Sequence, residues 1–326
     1  MPGLRLAAIV TRDPARRAQA AAEHPDALLV ATADALWERA SELDLAVVAT
    51  PNRTHIALAT AALEHGLHVV VDKPLAPSAA AARPLLELAA ARGPMVTVFH
   101  NRRWDGDLLT VKRLLAEDAL GRVARFESRF ERWRPRVGDG WRERGDPEDA
   151  GGVLADLGSH LADQALHLFG PVAHVYAELE TRRPGAQIDD DAFVALAHQS
   201  GTLSHLWMSA FAAQPGPRLR VLGDRAAYVK HGLDVQEAAL RAGARPGGPG
   251  WGVEDEAAWG RRGAGDATTP VATEPGAYQR FYEGVVAALR DGAPPPVDPE
   301  DALAVLVVLD AARLSAREAR VVALSP

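Results

Sequence analysis

The sequence predicts two halves of different class. The first is an α/β fold on a parallel sheet, and the second is an α+β fold with a mostly antiparallel, open-faced sheet. Three observations lead there. Up to residue 100, apolar runs of strand length alternate with helical segments, and such alternation pairs strands in parallel with helices on both faces. Beyond residue 100 the strand candidates follow one another across short turns, as antiparallel strands do. The length, 326 residues, is long for a single core, so the chain divides into residues 1–100 and 101–326.

In the first half, residues 4–10 (LRLAAIV) read as a buried strand. Asp13 and Pro14 then supply an N-cap and a first-turn proline for a helix over 15–23. A short strand at 27–30 and a helix at 33–40 lead to LAVVA at 45–49, an apolar run of the parallel-strand type. Thr50-Pro51-Asn52 breaks it, and a helix over 54–64 ends at Gly66. The strand 68–71 stops abruptly at Asp72-Lys73-Pro74, and a helix over 79–91 with a strand over 95–99 completes the alternation.

In the second half a helix over 107–117 precedes a half-exposed strand over 123–130, and the stretch 151–170 is helical. Strands follow near 173–181, 192–198, 202–210, 219–222 and 226–230. Residues 241–275, rich in Gly, Pro and charge, read as a long loop, either a disordered tether or a lid. Helices over 278–290 and 299–319 close the chain.

Composition narrows the function. A hydrophobic content of 48% with 24% charged residues is that of an ordinary folded protein. The net charge of −7 argues against a nucleic-acid or anionic-membrane partner. No apolar run approaches the ~20 residues that span a bilayer, and MPGLRL lacks the features of a signal peptide. With no cysteine there is no disulfide, thiolate metal site or cysteine nucleophile. A cytoplasmic protein without a metal is expected.

The stretch GGVLADLGSHLADQALHLFG (residues 151–170) holds the most concentrated chemistry. At about 100° per residue, Leu154, Leu157, Leu161, Ala165 and Leu168 share one side. Asp156, His160, Asp163, Gln164 and His167 share another, which contains no Lys, Arg or Glu, the usual residues of a solvated face. Short groups that titrate or hydrogen-bond suit a cleft wall. Asp156 and His160 stand four residues apart, so the carboxylate is expected to hold one imidazole nitrogen while the other faces a substrate. Gly158 is expected to keep this helix slim.

Ligands of open α/β sheets sit outside the carboxyl ends of the strands, where Thr50, Pro51, Asn52, Asp72 and Lys73 stand. A lysine directly after VVV needs a partner or a role to offset its desolvation. Snorkelling to solvent is the ordinary explanation, and Pro74, by restricting the backbone at Lys73, argues against it.

HVVVDKP, VFHNRRWDGDLLTVKRLL and GGVLADLGSHLADQALHLFG resemble the Gfo/Idh/MocA family of oxidoreductases. FESRFERWRPRVGDGWRE, RRPGAQ, RLRVLGDRAAYVKHGLDVQE and the GWG loop extend the resemblance over the chain, toward the NADP-dependent scyllo-inositol dehydrogenase-like branch. The resemblance implies a Rossmann-type domain and a catalytic group of Lys73, Asp156 and His160. Asp72 stands where the family more often has Glu. A nicotinamide-linked oxidation of a cyclic polyol or sugar is implied, with His160 as base, Asp156 as its orienter and Lys73 donating to the alkoxide-like oxygen.

Thr11, Arg12, Thr50, Pro51, Asn52, His55, Asp72, Lys73 and Asn101 are the cofactor candidates. Arg103, Trp104, Trp141, Arg142 and Gln164 are substrate candidates, although packing would explain the wall residues equally well. NADP rather than NAD is expected, because Thr11-Arg12 occupies the turn where an acidic residue would grip the ribose 2′-hydroxyl. A homo-oligomer through the open sheet face is expected as well. The sequence departs from the family ahead of residues 4–10, where the first strand and the G-x-G-x-x-G turn are missing. An upstream start or a truncated chain is expected rather than a cofactor-free enzyme. Were the sequence as given the whole chain, residues 4–10 and 45–49 would flank a gap, left unpaired, closed by direct pairing or filled by a foreign strand, with poor NADP affinity. A nicotinamide- or sugar-binding homologue without turnover is the rival expectation.

Overall fold

The computed structural model describes residues 1–138, 140, 143 and 145–324, so Trp141 and Arg142 lie outside the described residues. Among the described residues the strands form three sheets. The first half runs β1 (Ala8–Val10), α1 (Pro14–Glu23), β2 (Leu28–Val30), α2 (Ala33–Trp37), β3 (Leu45–Val48), α3 (His55–Glu64), β4 (His68–Val71), α4 (Ala79–Arg92) and β5 (Val96–Val98). Capping fixes the start of α1: the Asp13 carboxylate accepts the Arg16 N–H at 2.8 Å, and Pro14 is the first helical residue.

Strands β3, β4 and β5 pair in parallel in that order, with Val69, Val70 and Val71 fully buried in the middle strand. Their core takes in Leu63 and Leu85 of the flanking helices. It also takes in Leu303 and Leu306 of α9 (Pro299–Glu318), from the far end of the chain.

β1 and β2 form a separate parallel pair. Strand structure begins at Ala8 rather than residue 4, and no residue of β1 is fully buried, which corrects the expected buried strand. Among the described residues no backbone hydrogen bond joins β1 to β3. Direct pairing across the expected gap therefore does not occur, and Val10 and Val47 are 41% and 50% exposed.

The second half contributes α5 (Gly106–Ala116), β6 (Val123–Glu131), α6 (Ser159–Phe169), β7 (Val172–Glu180), β8 (Asp191–His198), β9 (Leu203–Ser209), β10 (Leu219–Gly223) and β11 (Ala227–Lys230). After these come α7 (Gln236–Arg241), β12 (Gly260–Ala264), β13 (Ala267–Val271), α8 (Gln279–Asp291), α9 and β14 (Val322–Ala323). The sheet order is β13-β12-β11-β10-β6-β9-β8-β7-β14. Its pairs are antiparallel except β6 with β9, which is parallel. One face packs on α6 and α9 through Phe126, Val194, Leu206 and Leu309. The other carries half-exposed Tyr176, Phe193 and Trp207, with the Arg129 guanidinium 3.9 Å from the Trp207 ring.

Two expectations are corrected here. Residues 241–275 are not a tether, because β12 and β13 form a hairpin that extends the sheet beside β11. Trp251 is buried and donates its indole N–H to Gln236 at 2.9 Å. Glycine conceals the strand, since a Cβ at Gly260 would sit 2.4 Å from the Tyr228 ring. Residues 151–170 are not a single α-helix either, for a π turn (Leu154–Gly158) precedes α6.

Candidate active site

The carboxyl ends of β3, β4 and β5 meet the start of the helical run at 154. Asp189 fixes that start by accepting the Leu154 N–H at 2.7 Å. Gly152, at φ +84°, passes where a Cβ would lie 2.2 Å from the same carboxylate. At the end of β4 the Lys73–Pro74 bond is cis. The Lys73 ammonium donates to the main-chain oxygen of Asp156 at 2.7 Å and to its carboxylate at 3.0 Å. Two of three ammonium donors are thus used, which leaves one for a ligand. The pair is partly open to solvent, with side chains 13% and 28% exposed.

His160 lies one turn on and is buried. Its ring packs edge-on against Phe130 with centroids 6.2 Å apart, and its Nδ1 has no hydrogen-bond partner among the described residues. Burial, reinforced by the charges of Lys73 and Arg102, holds the imidazole well below its ordinary pKa, so the neutral ring prevails. This corrects the expected Asp156–His160 contact. The four-residue spacing assumed α-helical turns, but the π turn between them bonds i to i+5 and removes the two side chains from one line. Asp156 orients Lys73 instead. Gly158 faces the sheet, where a Cβ would sit 3.2 Å from Met208.

The remaining candidates separate into exposed groups and internal braces. Thr11 is half-buried and Arg12 exposed at the end of β1, where the Arg12 Nε donates to the Ala31 carbonyl at 3.2 Å. Thr50 and Pro51 are exposed at the end of β3, and the Thr50 hydroxyl accepts from Thr54 at 2.7 Å. Asp72 is half-buried and accepts the Lys73 N–H at 2.8 Å. Asn101 borders a cavity of about 470 Å³ at the end of β5, together with Phe99, Glu237, Leu240, Tyr278 and Tyr282.

Asn52 and His55, expected at the cofactor, are buried braces. Asn52 donates to the carbonyls of Asp149 and Ala150 at 2.9 and 3.3 Å. Both ring nitrogens of His55 lie 2.9 Å from carbonyls, those of Pro74 and Thr50. Of the three described substrate candidates, Arg103 and Gln164 are buried braces and Trp104 is half-buried. Arg103 grips Asp163 through Nε and NH2, at 3.0 and 2.6 Å, and reaches Asp301 at 3.0 Å. Trp104 packs edge-on to Phe281. Gln164 uses both ends of its amide, donating to the Arg102 carbonyl and accepting from Arg218. The polar side of α6 is therefore largely sealed inside the protein, because arginines from elsewhere satisfy it.

Sequence reasoning missed His100 and Arg102. His100, two residues past β5, is buried, and its Nδ1, without a hydrogen-bond partner among the described residues, lies 4.0 Å from Asp163. Arg102 pairs with Asp105 and Glu237, and its guanidinium lies 4.7 Å from the ring of Phe130. Arg218 approaches the same ring at 4.2 Å. The signal for Arg102 was available, since a cation shortly after a buried strand is the pattern that singled out Lys73.

Residues 1–100 match the family model "Oxidoreductase family, NAD-binding Rossmann fold", and residues 112–324 match "Oxidoreductase family, C-terminal alpha/beta domain". The chain belongs to the Gfo/Idh/MocA oxidoreductases. It is 39% identical to the uncharacterized oxidoreductase YdgJ of Escherichia coli, over 95% of this chain and 88% of that one. It is 33% identical to scyllo-inositol 2-dehydrogenase (NADP(+)) IolW of Bacillus subtilis, over 86% and 79%. The yvaA structure from Bacillus subtilis superposes with a TM-score of 0.93 at 31% identity, covering 98% of this chain and 91% of that one. As an oxidoreductase of this family the protein has a nicotinamide-binding Rossmann domain. Among the described residues no helix is long and apolar enough to cross a membrane.

Proposed function

We propose that this oxidoreductase interconverts a secondary alcohol and a ketone on a cyclic polyol or sugar, using NADP. The observation that carries the reading is Lys73, held by Asp156 with a donor to spare, beside a buried His160 kept neutral. In oxidation the carbinol hydroxyl gives its proton to the His160 ring, and Lys73 donates a hydrogen bond to the oxygen as negative charge gathers there. Asp156 contributes by fixing the ammonium. A bound nicotinamide would supply the hydride-transfer chemistry at the carbinol carbon. The donor set fits that chemistry, and Thr50, Pro51, Asp72 and Asn101 are the groups at the strand ends that would hold the nicotinamide side.

NADP is favoured because Thr11 and Arg12 follow β1 where an acid would select NAD, and a guanidinium suits a 2′-phosphate. The NADP(+) in the name of IolW points the same way. Copies of the chain pair through the open face bearing Phe193 and Trp207, in the cytoplasm. The test is a turnover assay with inositols and aldoses against both cofactors. A kcat/KM favouring NADP, lost in Arg12→Ala by roughly tenfold, is the expected result. A preference for NAD would reject the NADP assignment, and no turnover of any polyol or sugar would reject the substrate class.

A further inference from the structure

Strand β6 continues its ladder beyond Glu131. The Arg132 N–H donates to the Ser209 carbonyl at 2.8 Å, and Trp133 bridges to Phe211. Alternation therefore persists, and Arg132 falls on the face of Phe126, Ser128 and Phe130, the face that meets His160. Arg132 is half-buried. Of the cations around the site, Lys73 pairs with Asp156, Arg102 with Asp105 and Glu237, and Arg218 with Asp107. The Arg132 side chain makes no hydrogen bond or ion pair with any described residue. Burial and the nearby Arg134 and Arg102 lower its pKa, while Asp156 and Glu237 act on it without closing an ion pair. Among the described residues no carboxylate closes an ion pair with this half-buried guanidinium, which stands on the same strand face as Phe130, the ring against His160.

We infer that Arg132 is a substrate-binding residue for a carboxylate, and that the substrate of this enzyme is a polyhydroxy acid such as a uronate rather than a neutral sugar. The inference rests on the proposed polyol chemistry at Lys73 and His160 and adds to it an anionic handle on the same molecule. A carboxylate carries one charge and matches one guanidinium through two parallel N–H···O bonds. A dianionic phosphate would bring a second charge, uncompensated, toward Asp156 and Glu237. A neutral hydroxyl would leave the arginine without its counter-ion.

The experiment compares each uronate with its parent sugar, glucuronate with glucose and galacturonate with galactose. Turnover with the nicotinamide cofactor is read alongside calorimetric binding. A preference of kcat/KM for the acid of roughly tenfold or more is expected, the size of a charged hydrogen bond. Arg132→Met should collapse the acid-to-sugar ratio toward one, mainly through the KM for the acid. Arg132→Lys, which keeps the charge and loses the fork, should retain part of it and shows whether the Met variant lost folding instead. Equal use of acid and sugar by the unaltered protein overturns the inference, as does a preference that survives in Arg132→Met. If neither is turned over, the proposed reaction falls and calorimetry decides the Arg132 assignment alone. Uronate binding lost with the arginine supports it, and no uronate binding overturns it.

Discussion

Lys73 and Arg103 stand beyond the ends of neighbouring buried strands, each against a carboxylate of the same helical run, yet their situations are opposite. Lys73 and Asp156 keep 13% and 28% of their side chains exposed. Arg103 and Asp163 keep 6% and 1%, and the guanidinium spends its remaining reach on Asp301. The lysine has a donor in reserve, whereas every nitrogen of the arginine is engaged. A charge after an apolar strand therefore announces a partner. Spare hydrogen-bonding capacity beside open space is what separates a site from a brace.

The sharpest way to break that distinction is through the group that Lys73 serves. His160→Ala should cut turnover by ~10²–10⁴-fold, the range of a positioned general base. Cofactor affinity should be nearly unchanged, read by titrating the fluorescence of the reduced nicotinamide. A variant with unaltered kcat would show that the open pair at Lys73 serves something other than proton transfer at His160.

The two cations can then be set against each other in stability. Arg103→Met leaves Asp163 buried without its main partner and should cost about 3–5 kcal/mol. Lys73→Met leaves Asp156 partly solvated and should cost about 1 kcal/mol or less. Urea midpoints of the two variants measure the difference. Asp163→Asn in the Arg103→Met background should recover part of the loss, because the stranded charge is gone. Equal costs for the two lysine and arginine variants would mean that exposure does not separate them.

Much of the architecture was legible because its signals are local. VVV at β4, the Asp13-Pro14 cap and the alternation up to residue 100 each appear in the elements they foretell. The hairpin of β12 and β13 was not legible as a strand pair. GRRGA carries neither β-branched residues nor alternation, and its glycines answer to Tyr228 and Ala267, which are distant contacts or ladder partners. Gly265-Asp266 between the two strands was the overlooked turn signal. Within the site, the chemistry-bearing residues could be named but their pairings could not. A π turn is invisible to a 3.6-residue period, so the spacing points Asp156 at His160 where the fold pairs it with Lys73. The short polar groups of α6 looked like a cleft wall because the arginines that seal them, Arg103 and Arg218, lie on other elements.

The smallest effect comes from the two buried imidazoles behind the open pair. Burial lowers the pKa of His100, partly opposed by Asp163, and lowers that of His160 further with the help of Lys73. Below about pH 6.5 an unfolded chain therefore binds protons that the folded protein refuses. Stability rises with pH wherever the unfolded state holds more protons. The contribution is thus complete above about pH 6.5 and is lost as the pH falls toward the folded values. Each ring adds at most about 1.4 kcal/mol per pH unit to the slope. Asp105, pushed up to about 8 mainly by burial, acts with the opposite sign over the same window. Differences between variants are therefore diagnostic where a single curve is not. Urea unfolding of the unaltered protein, His100→Gln and His160→Gln across this range should give a shallower dependence in each variant, more so for His160. Parallel curves would show that these rings take up protons in the folded state as readily as in the unfolded one, and that the region behind Lys73 is as wet as the pair itself.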